Sequence, residues 1–134
     1  MDQNKLTLKS QAALEGAREQ ASARNQQTIE PEHVLFALLS DPEGVIYPLL
    51  HHLGVTPRGL RDKVDAALDE LPKVYAQGAE IRLGQATVAL LDRAFREAEQ
   101  LTDEYVSTEH LLLAMLGDGS GTAGRLLGDR KSVV

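Results

Sequence analysis

Apolar and polar positions along the 134-residue chain fall into two series that follow one plan. In the first, Ala13, Leu14, Ala17 and Ala21 mark a helix stripe with a bias to small side chains. Thr7 stands where a hydroxyl can cap that helix by accepting from its free amides. The polar run 23–28 ends the stripe, and a second helix starts near Glu30 or Pro31. Proline at a first helical position gives up no hydrogen bond, because that amide has no partner in the helix anyway. Positions 34–39 are apolar nearly all round, which predicts a central helix buried on most sides. A turn over 40–44 leads to a short helix over 45–53, with Pro48 near its first turn and Gly54 after it. Thr56-Pro57 then opens a fourth helix whose Leu60, Val64, Leu68 and Leu71 share one face. Pro72 ends it, and 73–82, with Gly78 and no helical period, reads as a linker.

The second series repeats the first. Ala86, Leu90, Leu91, Ala94, Phe95, Ala98 and Leu101 form a stripe. Ser107 caps the apolar run 111–116, a glycine-rich turn covers 117–121, and a short helix is predicted over 122–127. At a constant offset of 77 the matches include Leu14/Leu91, Ala17/Ala94, Glu32/Glu109, His33/His110, Asp41/Asp118 and Gly44/Gly121, with no gap. Two amphipathic helices that resembled each other by chance would not also align a Glu-His pair and a turn glycine. The chain is therefore one domain, 1–134, built by duplication: repeat one 5–72, linker 73–82, repeat two 83–128 and a polar tail 129–134 that is expected to fray. Two copies are too few for an open solenoid, so they are expected to pack about a pseudo-twofold axis with the two apolar helices near its centre. A second copy of the 57–71 helix is missing, as if the last helix were truncated or divergent.

Composition narrows the class. Aromatic residues make up only 4% of the chain against 43% hydrophobic, so the core must be Leu, Ala and Val, which favours an all-α domain. A formal net charge of -6 without a Lys/Arg cluster argues against nucleic acid as a partner. The absence of cysteine fits a reducing compartment, and no signal peptide or run of about 18 apolar residues suggests export or a membrane. A cytoplasmic protein or fragment is expected.

Candidate chemistry is sparse. Glu32-His33 and Glu109-His110 could serve acid–base or metal roles, but neither an HExxH pattern nor a His/Asp cluster accompanies them. Both pairs fall in the first turn of a helix, where a carboxylate is stabilised by free amides and the helix dipole. The expectation is that each Glu answers a helix start and remains exposed, while each His packs at the interface between repeats. His51 and His52 sit at a helix end, Asp103, Glu104 and Tyr105 form an exposed corner, and the glycines of 117–121 lack the lysine of a phosphate loop.

The strings Ile29-Glu30-Pro31-Glu32-His33 and Asp103-Glu104-Tyr105-Val106-Ser107-Thr108-Glu109-His110 resemble the Clp amino-terminal repeat domain, which opens AAA+ unfoldases and disaggregases. The resemblance runs over 1–128, is double and correctly spaced, and is strongest to the ClpB-type disaggregase chaperones of the stress response. It implies two four-helix repeats, no catalysis and no cofactor in the domain itself, and a flexible join to ATPase rings that thread protein chains. It also implies unfolded or aggregated protein clients or an adaptor protein as partners, an isolated domain that is monomeric, a hexameric parent, and no binding to nucleic acid or membrane. Matching positions for substrate binding are Thr7, Asp103 and Glu109, with Arg93, Glu97 and His110 close by. In some relatives the positions of Arg93 and Glu97 are apolar, whereas here both are charged. ClpC-type relatives use glutamates at the positions of Glu32 and Glu109 to recognise phosphorylated arginine, which leaves an adaptor or phospho-arginine module as an alternative. A stand-alone helical interaction protein is a third. The chain contains no P-loop, so any ATP hydrolysis belongs to a longer parent.

Overall fold

A computed structural model describes residues 3–75, 78, 80–119 and 121–128. Repeat one comprises α1 (Leu8–Ala23), α2 (Pro31–Leu39), α3 (Ile46–His52) and α4 (Pro57–Asp69), and repeat two comprises α5 (Gln85–Gln100), α6 (Thr108–Gly117) and α7 (Thr122–Gly128). The all-α duplicated architecture is the one that the apolar periodicity predicts. Thr7 caps α1, its hydroxyl accepting from the Ser10 amide at 3.1 Å. The long first helices end alike. Asn25 and Thr102, which are repeat equivalents, both take left-handed backbone angles (φ 58 and 56). The next amide, of Gln26 or Asp103, then donates back to the carbonyl of Ala21 or Ala98 at 2.8 Å in each case.

Two minimal strands join the repeats, and periodicity does not announce them. β1 (Thr28–Ile29) pairs in parallel with β2 (Arg82–Leu83), Ile29 opposite Leu83. Leu6 makes the equivalent bridge to Val106. Leu6 and Leu83 are repeat equivalents, as are Ile29 and Val106, so each repeat lends its start to the other's central helix. Buried hydroxyls secure both crossings: Ser10 Oγ donates to the Val106 carbonyl at 2.9 Å, and its equivalent Thr87 Oγ1 donates to the Ile29 carbonyl at 2.6 Å. Residues 82–83, expected to belong to the linker and to the next helix's approach, are therefore structural. Edge amides and carbonyls that would otherwise face water are paired across the duplication.

One core runs through both halves. Leu35 and Leu39 of α2 and Leu111, Leu112 and Met115 of α6 are essentially inaccessible, so the two apolar helices lie inside the molecule as expected. In repeat one, α4 closes the outer face of α2. Phe36 there is buried under the guanidinium groups of Arg61 (4.8 Å) and Arg24 (5.4 Å). Its equivalent in α6, Leu113, is 43% exposed, because no described residue of repeat two takes the place of α4. The expected fraying of 129–134 lies outside the described residues.

Candidate functional site

The two Glu-His pairs explain themselves first as helix starts. In a capping box the third helical residue reaches back to the cap amide, and Glu or Gln usually does this. Here His does it. His33 Nδ1 accepts from the Glu30 amide, and His110 Nδ1 from the Ser107 amide, both at 2.9 Å. With Nδ1 an acceptor, Nε2 carries the proton in the neutral ring. His33 Nε2 donates to Gln26 Oε1 at 2.6 Å, and Gln26 Nε2 donates on to the Leu68 carbonyl of α4 at 2.6 Å. His110 Nε2 lies 2.9 Å from Asp103 Oδ2. Gln26 and Asp103 are repeat equivalents, so one relay is built twice with an amide in one copy and a carboxylate in the other. Each imidazole's hydrogen bonds close within its own repeat, and the crossing strands, not the histidines, carry the polar contacts between repeats. Burial, with Arg24 nearby, pushes His33 down to about 4.

The glutamates differ. Glu109 is exposed, as expected, but Glu32 is buried, and desolvation raises its carboxyl above the usual range. Each Glu lies in a groove whose other walls come from the opposite repeat. The first groove, about 610 Å³, runs between α1, the end of α2 and the start of α3, and its far rim is Ser107, Thr108 and Glu109 of repeat two. The second, about 260 Å³, is the equivalent space between α5, α6 and α7, with Glu30, Pro31 and Glu32 of repeat one as its rim. The floor of the first is small and apolar, including Ala12, Gly16, Ala37 and Ile46. Lys9 reaches across its rim to Asp41, Nζ to Oδ2 at 2.6 Å, and holds that carboxyl below the usual aspartate range. A third cavity of about 640 Å³ lies where the crossing strands meet α1, lined by Leu6, Leu14, Ile29, Ile81, Leu83 and Leu91 together with polar residues such as Gln11 and Arg18.

The candidate residues distribute accordingly. Thr7 and Glu109 come together in the first groove. Arg93 and Glu32 come together in the second. Asp103 and His110 form the relay before α6, with Asp103 at the surface and His110 buried. Glu97 lies one turn beyond Arg93 on α5, half-buried, and lines neither groove. Lys9 and Gly16 belong to no motif, although the unlike pair Gly16/Arg93 at the 77-residue offset marks where the grooves differ. Among the described residues no three His, Cys, Asp or Glu side chains converge to hold a metal, and no helix is long and apolar enough to cross a membrane.

The model of the Clp repeat (R) N-terminal domain matches residues 5–130. The chaperone protein ClpB of Mycobacterium bovis is 37% identical over 128 residues, covering 96% of this chain and 15% of that protein. ClpB of Corynebacterium diphtheriae is 39% identical over 127 residues, covering 92% and 15%. The chain thus spans about 15% of the length of these curated relatives. Among solved structures, the N-terminal domain of the ClpV1 ATPase from Escherichia coli superposes with a TM-score of 0.79 at 27% identity, over 87% of this chain and 71% of that one. The Hsp104 N-terminal domain from Candida albicans shares the fold, with a TM-score of 0.82 at 22% identity, over 95% and 82%.

Proposed function

The chain belongs to the Clp repeat N-terminal domain family, and from that premise we propose that it is the non-catalytic substrate-recognition domain of a cytoplasmic ClpB-type disaggregase. It engages unfolded or aggregated polypeptides, or an adaptor carrying them, for threading by the ATPase rings of a hexameric parent. The observation that carries this reading is the first groove, an apolar trough that brings Thr7 of repeat one and Glu109 of repeat two to one rim. A trough of small apolar side chains suits an extended chain of varied sequence, because it contacts side chains without demanding one shape. Its polar rim supplies orientation, and a threading machine needs weak engagement so that the client can leave.

The test is a titration of the ¹⁵N-labelled domain with reduced, carboxymethylated lactalbumin, a permanently unfolded protein. Amide shifts should cluster at Gly16, Ala37, Gly44 and Glu109, and Glu109→Ala should weaken binding several-fold without changing helicity. Unchanged binding by a folded Thr7→Ala/Glu109→Ala variant would overturn the assignment, and shifts confined to Leu83 and Leu91 would move the client to the third cavity.

A second reading draws on Glu32 and Glu109 standing in separate, equivalent grooves, which would suit two phospho-arginine guanidinium groups. It predicts that free phospho-arginine at millimolar concentration shifts amides beside both glutamates. No shift there removes it.

A further inference from the structure

The two grooves are built from equivalent positions yet differ more than twofold in volume, about 610 against 260 Å³. One substitution between the repeats places a long side chain in the second groove where the first has none. Position 16 is Gly and its equivalent is Arg93. At Gly16 a Cβ would already stand 3.3 Å from the Ala37 Cβ, so the floor there is bare backbone and methyl. In the second groove the Arg93 side chain lies along the end of α6, its Cδ 3.7 Å from where a Cβ of Gly117 would be. Its Nη1 donates to the Ala114 carbonyl at 3.3 Å.

Arg93 therefore shows what this trough accepts. Its guanidinium reaches the carbonyl of Ala114, and Ala37 is the equivalent residue in the first groove. The Gly117 equivalent, Ser40, does not obstruct that path, because its hydroxyl is turned back to the Phe36 carbonyl at 2.9 Å. Charge agrees. Glu19, Asp41, Glu43 and Glu109 line the first groove against one cation among the described residues, Lys9, which is already engaged by Asp41. Glu19 has Arg96 as its equivalent, so that carboxylate belongs to the first groove alone, while the second holds Arg93 among Glu30, Glu32 and Asp118.

We propose that the first groove takes an unmodified arginine side chain of an extended client peptide, and that Arg93 occupies the equivalent groove as a built-in ligand, leaving the domain with one working groove. The client's guanidinium lies over Gly16 among the rim carboxylates, with its flanking apolar side chains on the alanine floor. This rests on the client-binding reading above and names the chemistry of that same groove.

The test uses the whole 134-residue chain, labelled with ¹⁵N, and an unstructured 12-residue peptide with one central arginine between alanines and leucines. A matched peptide carries citrulline, which keeps the shape and loses the charge. The expected result is one peptide per domain, with shifts at Gly16, Ala37 and Glu109. Citrulline should weaken binding about fivefold, the scale of a partly exposed ion pair. Arg93→Ala should add a second set of shifts at Ala89, Ala114 and Gly121 and raise the stoichiometry to two. If that variant loses its amide dispersion, Arg93→Gln removes the guanidinium with a side chain of intermediate length. Equal binding of the citrulline peptide, occupancy of both grooves in the parent protein, or one site in both Arg93 variants would each overturn the proposal. Binding of free phospho-arginine without binding of the arginine peptide would do the same. If unfolded lactalbumin still shifts the first groove while the arginine peptide does not, the arginine assignment falls and the client site stands; if neither does, both fall.

Discussion

Lowering the pH from 7 to 5 should destabilise the fold by about 2 kcal/mol through one side chain, His33. Its ring is fully buried, accepts at Nδ1 from the Glu30 amide and donates at Nε2 to Gln26, so the site is built for a neutral imidazole. Burial, and then Arg24, push it down to about 4 from 6.5. A histidine held below its unfolded value stabilises the fold fully above the unfolded value, and that contribution is lost as pH falls through 6.5 towards 4. Linkage between those two values yields almost no loss at pH 7 and about 2 kcal/mol at pH 5. With a urea slope of about 1–3 kcal/mol per molar, the unfolding midpoint should fall by roughly 1 M. Two other groups bear on the window. Glu32, raised by burial, opposes the trend, because a carboxyl with a raised value gains stability as pH falls. Asp41, held low by Lys9, loses its contribution only below the ordinary aspartate range of about 4. The assay is therefore urea unfolding at pH 7 and 5 for the parent, His33→Gln and Glu32→Gln proteins. The His33 variant should lose most of the pH dependence and the Glu32 variant should show more of it. A His33→Gln protein whose midpoint drops as far as the parent's, or a His33 ring that titrates near 6.5 by NMR, would refute the reasoning.

Three further outcomes follow from the repeat comparison. Phe36→Ala should cost about 3 kcal/mol, against about 1 for its half-open equivalent Leu113→Ala, measured by chemical denaturation of the same chain. Thr102→Gly should stabilise by up to about 1 kcal/mol, because a β-branched residue at φ 56 is strained, whereas Asn25→Gly should be close to neutral. Arg24→Leu, which copies the equivalent Leu101, should cost about 1 kcal/mol at low salt and less at 0.5 M, since its partners Asp65 and Asp69 are more than half exposed.

Much of the architecture is legible along the chain because helices are local. Thr7, Pro31, Thr56-Pro57 and Ser107 mark starts, the Leu and Ala stripes mark buried faces, and the 77-residue offset marks the duplication. The relay partners were legible too, though only in hindsight: Gln26 and Asp103, like Ser10 and Thr87, are equivalents without being identical, so a search for identities passes over them. The candidate site was legible less well. A list of six residues cannot tell that Thr7 and Glu109 share one groove while Arg93 stands in another, nor that Glu32 is buried where Glu109 is not.

The division has a physical cause. Helix periodicity and caps depend on neighbours three or four residues apart, so the sequence by itself determined the seven α-helices of the described residues, the two copies and the Glu-His helix starts. The pairing of Leu6 with Val106 and of Ile29 with Leu83 joins segments far apart in the chain, and two-residue strands leave no periodic trace. Only the tertiary structure decided that each repeat completes the other. It also decided that two equivalent troughs differ, because a side chain fills space only in relation to the wall opposite it. Gly16 leaves one trough open beside Ala37, and Arg93 closes the other against Ala114 and Gly117.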